Sequence, residues 1–218
     1  MDYRNGRLHV AWVYRGFVYY DGWDDPLDTQ HKQQAGPNGS ENNHDICYAF
    51  SDDKGYTWKN GAGQVVADLR KGQTVANDAE GIVAFGIPKD SGLSNQEAQT
   101  VDQDDGVHVL NRETVRGVLM WKHYYRLPGA RGRLAVSKSG DLYVVLPDFA
   151  ASELRLLKAS KTSGYCSYDE VWTGQGFTGE PLVDSARLEV DGVLSVLVLA
   201  EEEAILGGRQ VAVLDFQL

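Results

Sequence analysis

Several features are scarce in this sequence, and each scarcity excludes a class of protein. The 218 residues include two cysteines, Cys47 and Cys166, which are too few for a disulfide framework. Cysteine and histidine show no C-x-x-C or H-x-x-x-H spacing, so the sequence does not indicate zinc. No apolar run approaches the roughly 18 residues of a membrane span, and no signal peptide is visible at the start. We therefore expect neither a membrane protein nor a domain stabilised by bound zinc.

Positive charge is also scarce. Lysine and arginine number 21 against 31 acidic residues, giving a formal net charge of -10. This balance argues against a nucleic-acid partner, although a local arginine-rich cleft could still bind a polyanion. Asp102, Asp104 and Asp105 precede Gly106, but the spacing lacks the bidentate carboxylate that closes a calcium loop. A solvated turn is the preferred interpretation, calcium is not indicated, and no cofactor is expected.

Helical periodicity is nearly absent, and a turn-then-strand pattern recurs instead. A polar residue and a glycine precede alternating apolar positions at Asn5-Gly6, Asp105-Gly106, Ser139-Gly140 and Asp191-Gly192. Each pair predicts a hairpin turn that leads into a strand. The pattern predicts strands at 8–14, 45–51, 57–60, 107–112, 116–124, 133–137, 142–147, 154–159, 184–190, 193–200 and 210–216. The fold class is therefore predicted to be all-β.

The stretch around residue 55 is the most specific motif. A predicted strand ends at Ser51, and the chain continues with Asp53, Gly55, Thr57 and Trp58 at alternate or adjacent positions. Ser and Asp side chains hydrogen-bond to nearby backbone amides in turns, and Gly tolerates a positive φ. This order resembles the Asp-box, or BNR repeat, of sialidase-like β-propellers. We expect Asp53 to form the turn and not to act as a catalyst.

The Asp-box resemblance implies a β-propeller of four-stranded antiparallel blades. The eleven predicted strands, with a few unrecognised ones, would make about four blades, at the low end of the propeller range, either as a closed ring or as part of a larger one. We expect one domain over residues 1–218. Residues 20–43 are predicted to form a long polar insertion and residues 60–105 to contain another, and binding sites commonly lie in such loops.

Further blocks resemble one branch of these propellers, the ulvan lyases and the fungal rhamnose–glucuronate lyases. The blocks are 6–15, 43–49, 105–109 and 122–126, with 132–147 closest to the fungal members. The family is seven-bladed and longer, and its Tyr-Pro and Arg-Gly-x-Ser-Gly segments have no match here. The resemblance therefore implies the C-terminal portion of an incomplete ring, with a missing upstream half as a further partner.

The resemblance implies β-elimination at a uronic acid, with a uronate-containing polysaccharide as partner. An arginine neutralises the carboxylate, and a histidine or tyrosine transfers the proton. The matching positions give Arg15, Arg126 and His44 for substrate binding, and His123 and Tyr125 for catalysis. Much of the catalytic set would lie upstream, so this chain alone is expected to be inactive. The family also implies an extracellular location.

These site residues have structural alternatives. Arg15 could form an ion pair between blades, and His44 could bind a neighbouring loop. His44 and Asp45 are adjacent on a predicted strand, so their side chains should point to opposite faces and not cooperate. In the segment 122–126, His123 and Tyr125 should share one face, with Arg126 on the other; the alternative is an aromatic-rich strand with a structural role.

Two other functions remain open from the sequence. A sialidase-like hydrolase would need an arginine triad with a nucleophilic tyrosine, and no recognisable order of that set appears. A noncatalytic carbohydrate-binding propeller would instead use exposed aromatic rings to stack on sugars. The candidate rings for such stacking are Trp23, Trp121 and Trp172.

Overall fold

The structure is a computed structural model that describes residues 1–33, 36–93, 98–113, 117–120, 123–124, 131–203 and 209–218. For residues 112–113, 117–120, 123–124, 202–203 and 209 the description concerns the backbone. The chain divides into two compact units. Unit 1 comprises Met1–Glu97 and Asn111–Gly117, and unit 2 comprises Ala98–Leu110 and Val118–Leu218. Whether they form a single domain remains a prediction.

Strands dominate the regular structure, as the scarcity of helical periodicity predicts. The first six are β1 (Asp2–Arg4), β2 (Arg7–Arg15), β3 (Asn43–Ser51), β4 (Thr57–Lys59), β5 (Val65–Asp68) and β6 (Val83–Phe85). The middle strands are β7 (Ala98–Val101), β8 (Val107–Glu113), β9 (Gly117–Met120), β10 (His123–Tyr124), β11 (Arg133–Val136), β12 (Leu142–Asp148) and β13 (Glu153–Ala159). The last elements are β14 (Asp169–Gln175), β15 (Phe177–Asp184), α1 (Ser185–Asp191), β16 (Val193–Glu203) and β17 (Arg209–Gln217).

The strands form antiparallel sheets, and in the described part of the chain none closes on itself. The first sheet has the order β1-β2-β3-β4-β5, with β6 also paired to β3. The other sheets have the orders β10-β9-β8-β7, β11-β12-β13-β14 and β15-β16-β17. The all-β prediction is confirmed, while the number of blades remains a prediction. Among the described residues, no helix is long and apolar enough to cross a membrane.

Two predicted strands are wrong. The segment predicted as a strand at 184–190 is largely the helix α1, because Asp184 accepts a hydrogen bond from the Arg187 amide and caps its start. Gly192, at φ 72°, ends the helix in the left-handed conformation. The segment predicted as one strand at 116–124 contains two strands, β9 and β10, which pair with each other.

The four predicted glycine turns are not all hairpins in the structure. Asn5 and Gly6 both have positive φ, at 52° and 82°, and join β1 to β2 in a tight hairpin. Gly140 has φ 89° and joins β11 to β12. At the third turn, between β7 and β8, the positive φ of 62° belongs to Asp105. Gly192 instead follows the helix α1, so the predicted hairpin there is wrong.

The core of unit 2 lies on both faces of the sheet that contains β12. Leu142, Val144 and Leu146 belong to one buried cluster with residues of β7, β8, β11 and β13. Tyr143 and Val145 belong to a second cluster, which also contains residues of α1 and β16. Successive side chains of a strand point to opposite faces, so a strand buried on both faces needs an unbroken apolar run. This explains the sequence of β12.

In unit 1, β2 and β3 form the longest pairing. Their register matches Leu8 with Ser51 at one end and Arg15 with Asn43 at the other. Along β3, every residue from Ile46 to Ser51 is buried. Cys47 is fully buried, and burial raises the pKa of its thiol to about 12, so it is an inert apolar residue. The β2–β3 pair thus forms a rigid support for the residues at its ends.

The two-sided packing of unit 2 gives a stability prediction. Leu194 is fully buried in the second cluster, and Leu194→Ala should lower the free energy of unfolding by about 2–5 kcal/mol. Val213 on β17 is 62% exposed, and Val213→Ala should change it by less than about 0.5 kcal/mol. Urea denaturation measures both. Equal effects would show that the cluster around Leu194 is not packed as described.

Candidate functional site

The turn from Ser51 to Trp58 joins β3 to β4 and is held by its own side chains. The Ser51 hydroxyl accepts a hydrogen bond from the Gly55 amide at 2.8 Å and donates one to Asp53 at 2.9 Å. Asp53 Oδ1 accepts from the Thr57 amide at 2.7 Å. Gly55 has φ 88°, and the Trp58 ring passes close to it. Ser51 and Asp53 therefore hold the backbone of this turn, which supports a structural role for both.

The carboxylate of Asp53 is strongly stabilised in this turn. The Thr57 amide is the main cause, and Ser51 and Arg70 add to it, so the pKa of Asp53 falls from 3.8 to about 2. Arg70 Nη2 lies 3.1 Å from Asp53 Oδ2 and 2.9 Å from the Thr57 hydroxyl. The charged form of Asp53 is thus part of the folded state.

Arg15 lies at the last position of β2, opposite Asn43. Its Nε donates to Asn43 Oδ1 at 2.8 Å, and the Asn43 amide nitrogen donates to the Leu93 carbonyl at 2.7 Å. Asn43 is 1% exposed, so this brace is firmly fixed. Arg15 Nη2 is buried and has no hydrogen-bond partner among the described residues. A buried guanidinium nitrogen without a partner favours binding of a hydrogen-bond acceptor, and a carboxylate matches a guanidinium best.

His44 and Asp45 are in contact, contrary to the prediction that they point apart. His44 Nδ1 lies 2.9 Å from Asp45 Oδ2. The register between β2 and β3 shifts at this point, and Asp45 takes a left-handed conformation with φ 54°. Such a bulge redirects a side chain, which breaks the alternation of a regular strand. Asp45 also binds Ile87 through both its amide and its Oδ1 atom.

Tyr14 completes a group that the sequence did not indicate. It is opposite His44 in the register, and the two ring centroids are 5.9 Å apart. Burial raises the pKa of Tyr14, so its hydroxyl stays protonated at neutral pH. The Asp45 carboxylate favours the proton on His44 Nδ1, which leaves Nε2 as the basic nitrogen. Tyr14, His44 and Asp45 together could therefore transfer a proton.

The predicted binding residues Arg15 and His44 lie at the same end of the β2–β3 pair but on different faces. Arg15 faces the same side as Asn43, its partner in the register, and His44 faces the same side as Tyr14. Neighbouring positions on a strand alternate between faces. One ligand would therefore reach both residues only around the end of the strands.

The other predicted site residues are only partly described. Tyr125, Arg126 and Trp121 lie outside the described residues. His123 is described as a backbone position of β10, paired with Met120. The proposed cooperation of His123 with Tyr125 therefore remains a prediction. Trp172 packs against Phe216 at 5.1 Å between ring centroids, beside the second core cluster, so its ring serves packing.

The acidic stretch before Gly106 is a turn built on one carboxylate. Asp102 Oδ1 accepts from the amides of Asp104 and Gly106, at 2.9 and 2.7 Å. Its Oδ2 lies 3.0 Å from His108 Nε2 and accepts from Tyr165 at 3.2 Å. Burial alone would raise the pKa of Asp102, but these partners hold it below its ordinary value. Within the described residues, no cluster of His, Cys, Asp and Glu could hold a metal ion.

The depressed pKa of Asp53 gives a pH prediction. Its folded value of about 2 lies below the ordinary 3.8, so the stabilisation is complete above about pH 4. It is lost as the pH falls toward 2. Asp53→Asn should lower the melting temperature at pH 7. The variant should also show a smaller fall in melting temperature between pH 4 and pH 2 than the wild type. Thermal unfolding across pH measures this.

The control for that experiment is Asp78→Asn, which removes one exposed carboxylate from the same unit. It should leave the melting temperature at pH 7 nearly unchanged. If Asp53→Asn matches this control at every pH, the charge of Asp53 does not stabilise the turn.

A similar fold occurs in a solved polysaccharide lyase, Uly1. The match has a TM-score of 0.54 at 16% sequence identity, and it covers 80% of this chain and 39% of the lyase. At this identity the similarity concerns the fold. The present chain thus spans about two fifths of the lyase's length.

A GH43 β-1,3-galactosidase also aligns, with a TM-score of 0.43 and 13% identity over 97% of this chain and 44% of that protein. Such a low score does not establish a shared fold. Comparison with curated proteins gives no significant match.

A family model for BNR repeat-containing proteins matches residues 1–132. That range includes the Ser51–Trp58 turn and the paired strands β2 and β3 that carry Arg15 and His44. It accounts for more than half of the chain, and the predicted resemblance to BNR-repeat proteins is confirmed. The chain therefore belongs to the BNR repeat-containing family.

Proposed function

We propose that this chain is part of a carbohydrate-active β-propeller that binds a uronate-containing polysaccharide through Arg15. The single observation that carries this proposal is the hydrogen bonding of the Arg15 guanidinium. Asn43 fixes one edge of it, and Nη2 is buried with no hydrogen-bond partner among the described residues. A uronate carboxylate supplies two acceptors in the geometry that a guanidinium matches. Family membership and the shared fold with a polysaccharide lyase support the same conclusion.

The reaction of the proposed whole protein is β-elimination. Arg15 pairs with the carboxylate and stabilises the negative charge that develops when the C5 proton is removed. The C5–H and C4–O bonds break, a C4=C5 double bond forms, and the leaving oxygen takes up a proton. His123 and Tyr125 are the proton-transfer candidates from the sequence. His44, with Asp45 and Tyr14, is a candidate from the structure, and it would reach a uronate held by Arg15 only around the end of the strands.

The Ser51–Trp58 turn fits the propeller proposal as an Asp-box. Ser51 and Asp53 hold the hairpin between the third and fourth strands of the first sheet. In unit 2, Ser160 begins a similar turn between β13 and β14, where its hydroxyl accepts from the Thr162 amide. We propose an extracellular location, as expected for a protein that acts on a polysaccharide.

Arg15 variants test the binding proposal. Polyglucuronate oligomers are titrated against the 218-residue chain by calorimetry. Arg15→Gln should weaken binding about 10- to 100-fold, because it removes a charge-assisted bidentate contact. Arg15→Lys keeps the charge without the planar fork, so its affinity should be intermediate.

Arg131→Gln provides the matched control. Arg131 is an exposed arginine of unit 2 that pairs with Glu180, and its loss should leave the affinity unchanged. An Arg15→Gln variant that binds the oligomers as tightly as the control does would refute carboxylate binding at Arg15.

A product assay separates the alternative functions. β-Elimination yields an unsaturated uronate that absorbs in the ultraviolet, whereas a sialidase-like hydrolase would release sialic acid. We expect the chain alone to bind the polymer without forming either product, because the catalytic set is proposed to be incomplete. Ultraviolet-absorbing product from the chain alone would show that the set is complete, and free sialic acid would favour the hydrolase.

A further inference from the structure

The segment that follows Arg15 carries a cluster of aromatic rings in solvent. Phe17 lies 5.0 Å from Tyr19 and 5.8 Å from Trp23 between ring centroids, and Tyr19 lies 5.1 Å from Trp23. The three residues are 42%, 72% and 40% exposed. His31 packs against Phe17 at 5.7 Å. Exposed apolar patches of this kind commonly mark a binding surface.

Hydrogen bonds hold the backbone of this segment, and the three rings support one another through their contacts. Asn38 is 3% exposed, accepts a hydrogen bond from the Val18 amide at 2.7 Å and donates to the Val18 carbonyl at 2.9 Å. The Tyr20 hydroxyl donates to Asp28 and lies 3.1 Å from His31 Nδ1. A ligand that stacks on fixed rings does not have to order them first, which favours affinity.

The charge around the rings selects against anionic ligands. Asp21, Asp24, Asp25 and Asp28 all lie between residues 20 and 29, where the sequence has no lysine or arginine. These carboxylates disfavour an anionic group on the rings themselves, whereas Arg15 and Lys89, which lies beside Gly16, favour an anion at the end of β2. The surface therefore suits an uncharged ligand that packs its apolar C–H groups on the rings and donates hydrogen bonds from its hydroxyl groups to the carboxylates.

The geometry of the three rings does not fit an aromatic cage for a cation. The rings contact one another with interplanar angles of 71–84°, in edge-to-face packing. A cage needs ring faces that converge on a gap wide enough for an ammonium group. Here the neighbouring rings fill that gap, and the outward faces remain for stacking.

We propose that Phe17, Tyr19 and Trp23 form a stacking platform for a neutral pyranose unit of the polysaccharide. The proposal rests on the proposed function for the polysaccharide nature of the ligand, but not on the elimination chemistry. Phe17 follows Arg15 by two residues, a backbone span of at most about 7 Å. One polysaccharide strand could therefore place a uronate at Arg15 and a neutral sugar on the platform, which would select polymers that contain both.

The experiment compares two probes, polyglucuronate oligomers and the same oligomers with their carboxyl groups reduced to alcohols. Binding to the full chain is followed by calorimetry and by tryptophan fluorescence. Trp23→Ala and Tyr19→Ala should weaken binding of the reduced, neutral oligomer about 5- to 20-fold, because stacking area is lost. Tyr3→Ala is the matched control, since Tyr3 is 60% exposed on β1 and should not affect binding of either probe.

The two proposals fail in distinguishable ways. Arg15→Gln should weaken binding of the charged probe, whereas Trp23→Ala should weaken binding of the neutral probe. The platform is overturned if the wild-type chain does not bind the neutral oligomer, or if both aromatic variants bind it like Tyr3→Ala. It is also overturned if polylysine binds in a Trp23-dependent manner and the neutral oligomer does not. Equal melting temperatures of the three variants confirm that folding is unchanged.

Discussion

The antiparallel pairing of β2 with β3 is the constraint on which the proposed site depends. It sets Arg15 opposite Asn43 and Tyr14 opposite His44, and it carries the Ser51–Trp58 turn at its other end. The bulge at Asp45 adds one residue to β3, and this turns the Asp45 carboxylate toward both His44 and Ile87. Because β3 is buried from Ile46 to Ser51, its register cannot slip without exposing apolar side chains. The packing of the core of unit 1 therefore determines the geometry of the site.

Local turn chemistry made much of the fold predictable. Gly6 and Gly140 have positive φ at the two hairpin turns, and a glycine that precedes alternating apolar residues predicts such a turn. The helix α1 escaped prediction because its residues alternate in polarity as a strand does, and its capping by Asp184 looks like an ordinary turn. The strands β14 and β15 escaped because exposed positions interrupt their apolar pattern.

The candidate site was less predictable than the fold. Arg15 could be found because it ends an aromatic strand, but its brace depends on Asn43, 28 residues away. The contact between His44 and Asp45 depends on a bulge, and alternation alone predicted the opposite. Trp23 was a candidate for sugar stacking from the sequence, but its edge-to-face contacts with Phe17 and Tyr19 depend on the fold of the segment.

The central claim is that Arg15 and the aromatic platform bind one polysaccharide strand. A crystal structure of the chain with an oligosaccharide of alternating glucuronate and neutral sugar units tests it most directly. The account predicts a carboxylate within hydrogen-bond distance of the Arg15 guanidinium and a neutral sugar ring against Trp23 or Tyr19. An oligosaccharide bound at another surface, with no carboxylate at the Arg15 guanidinium, would contradict the account.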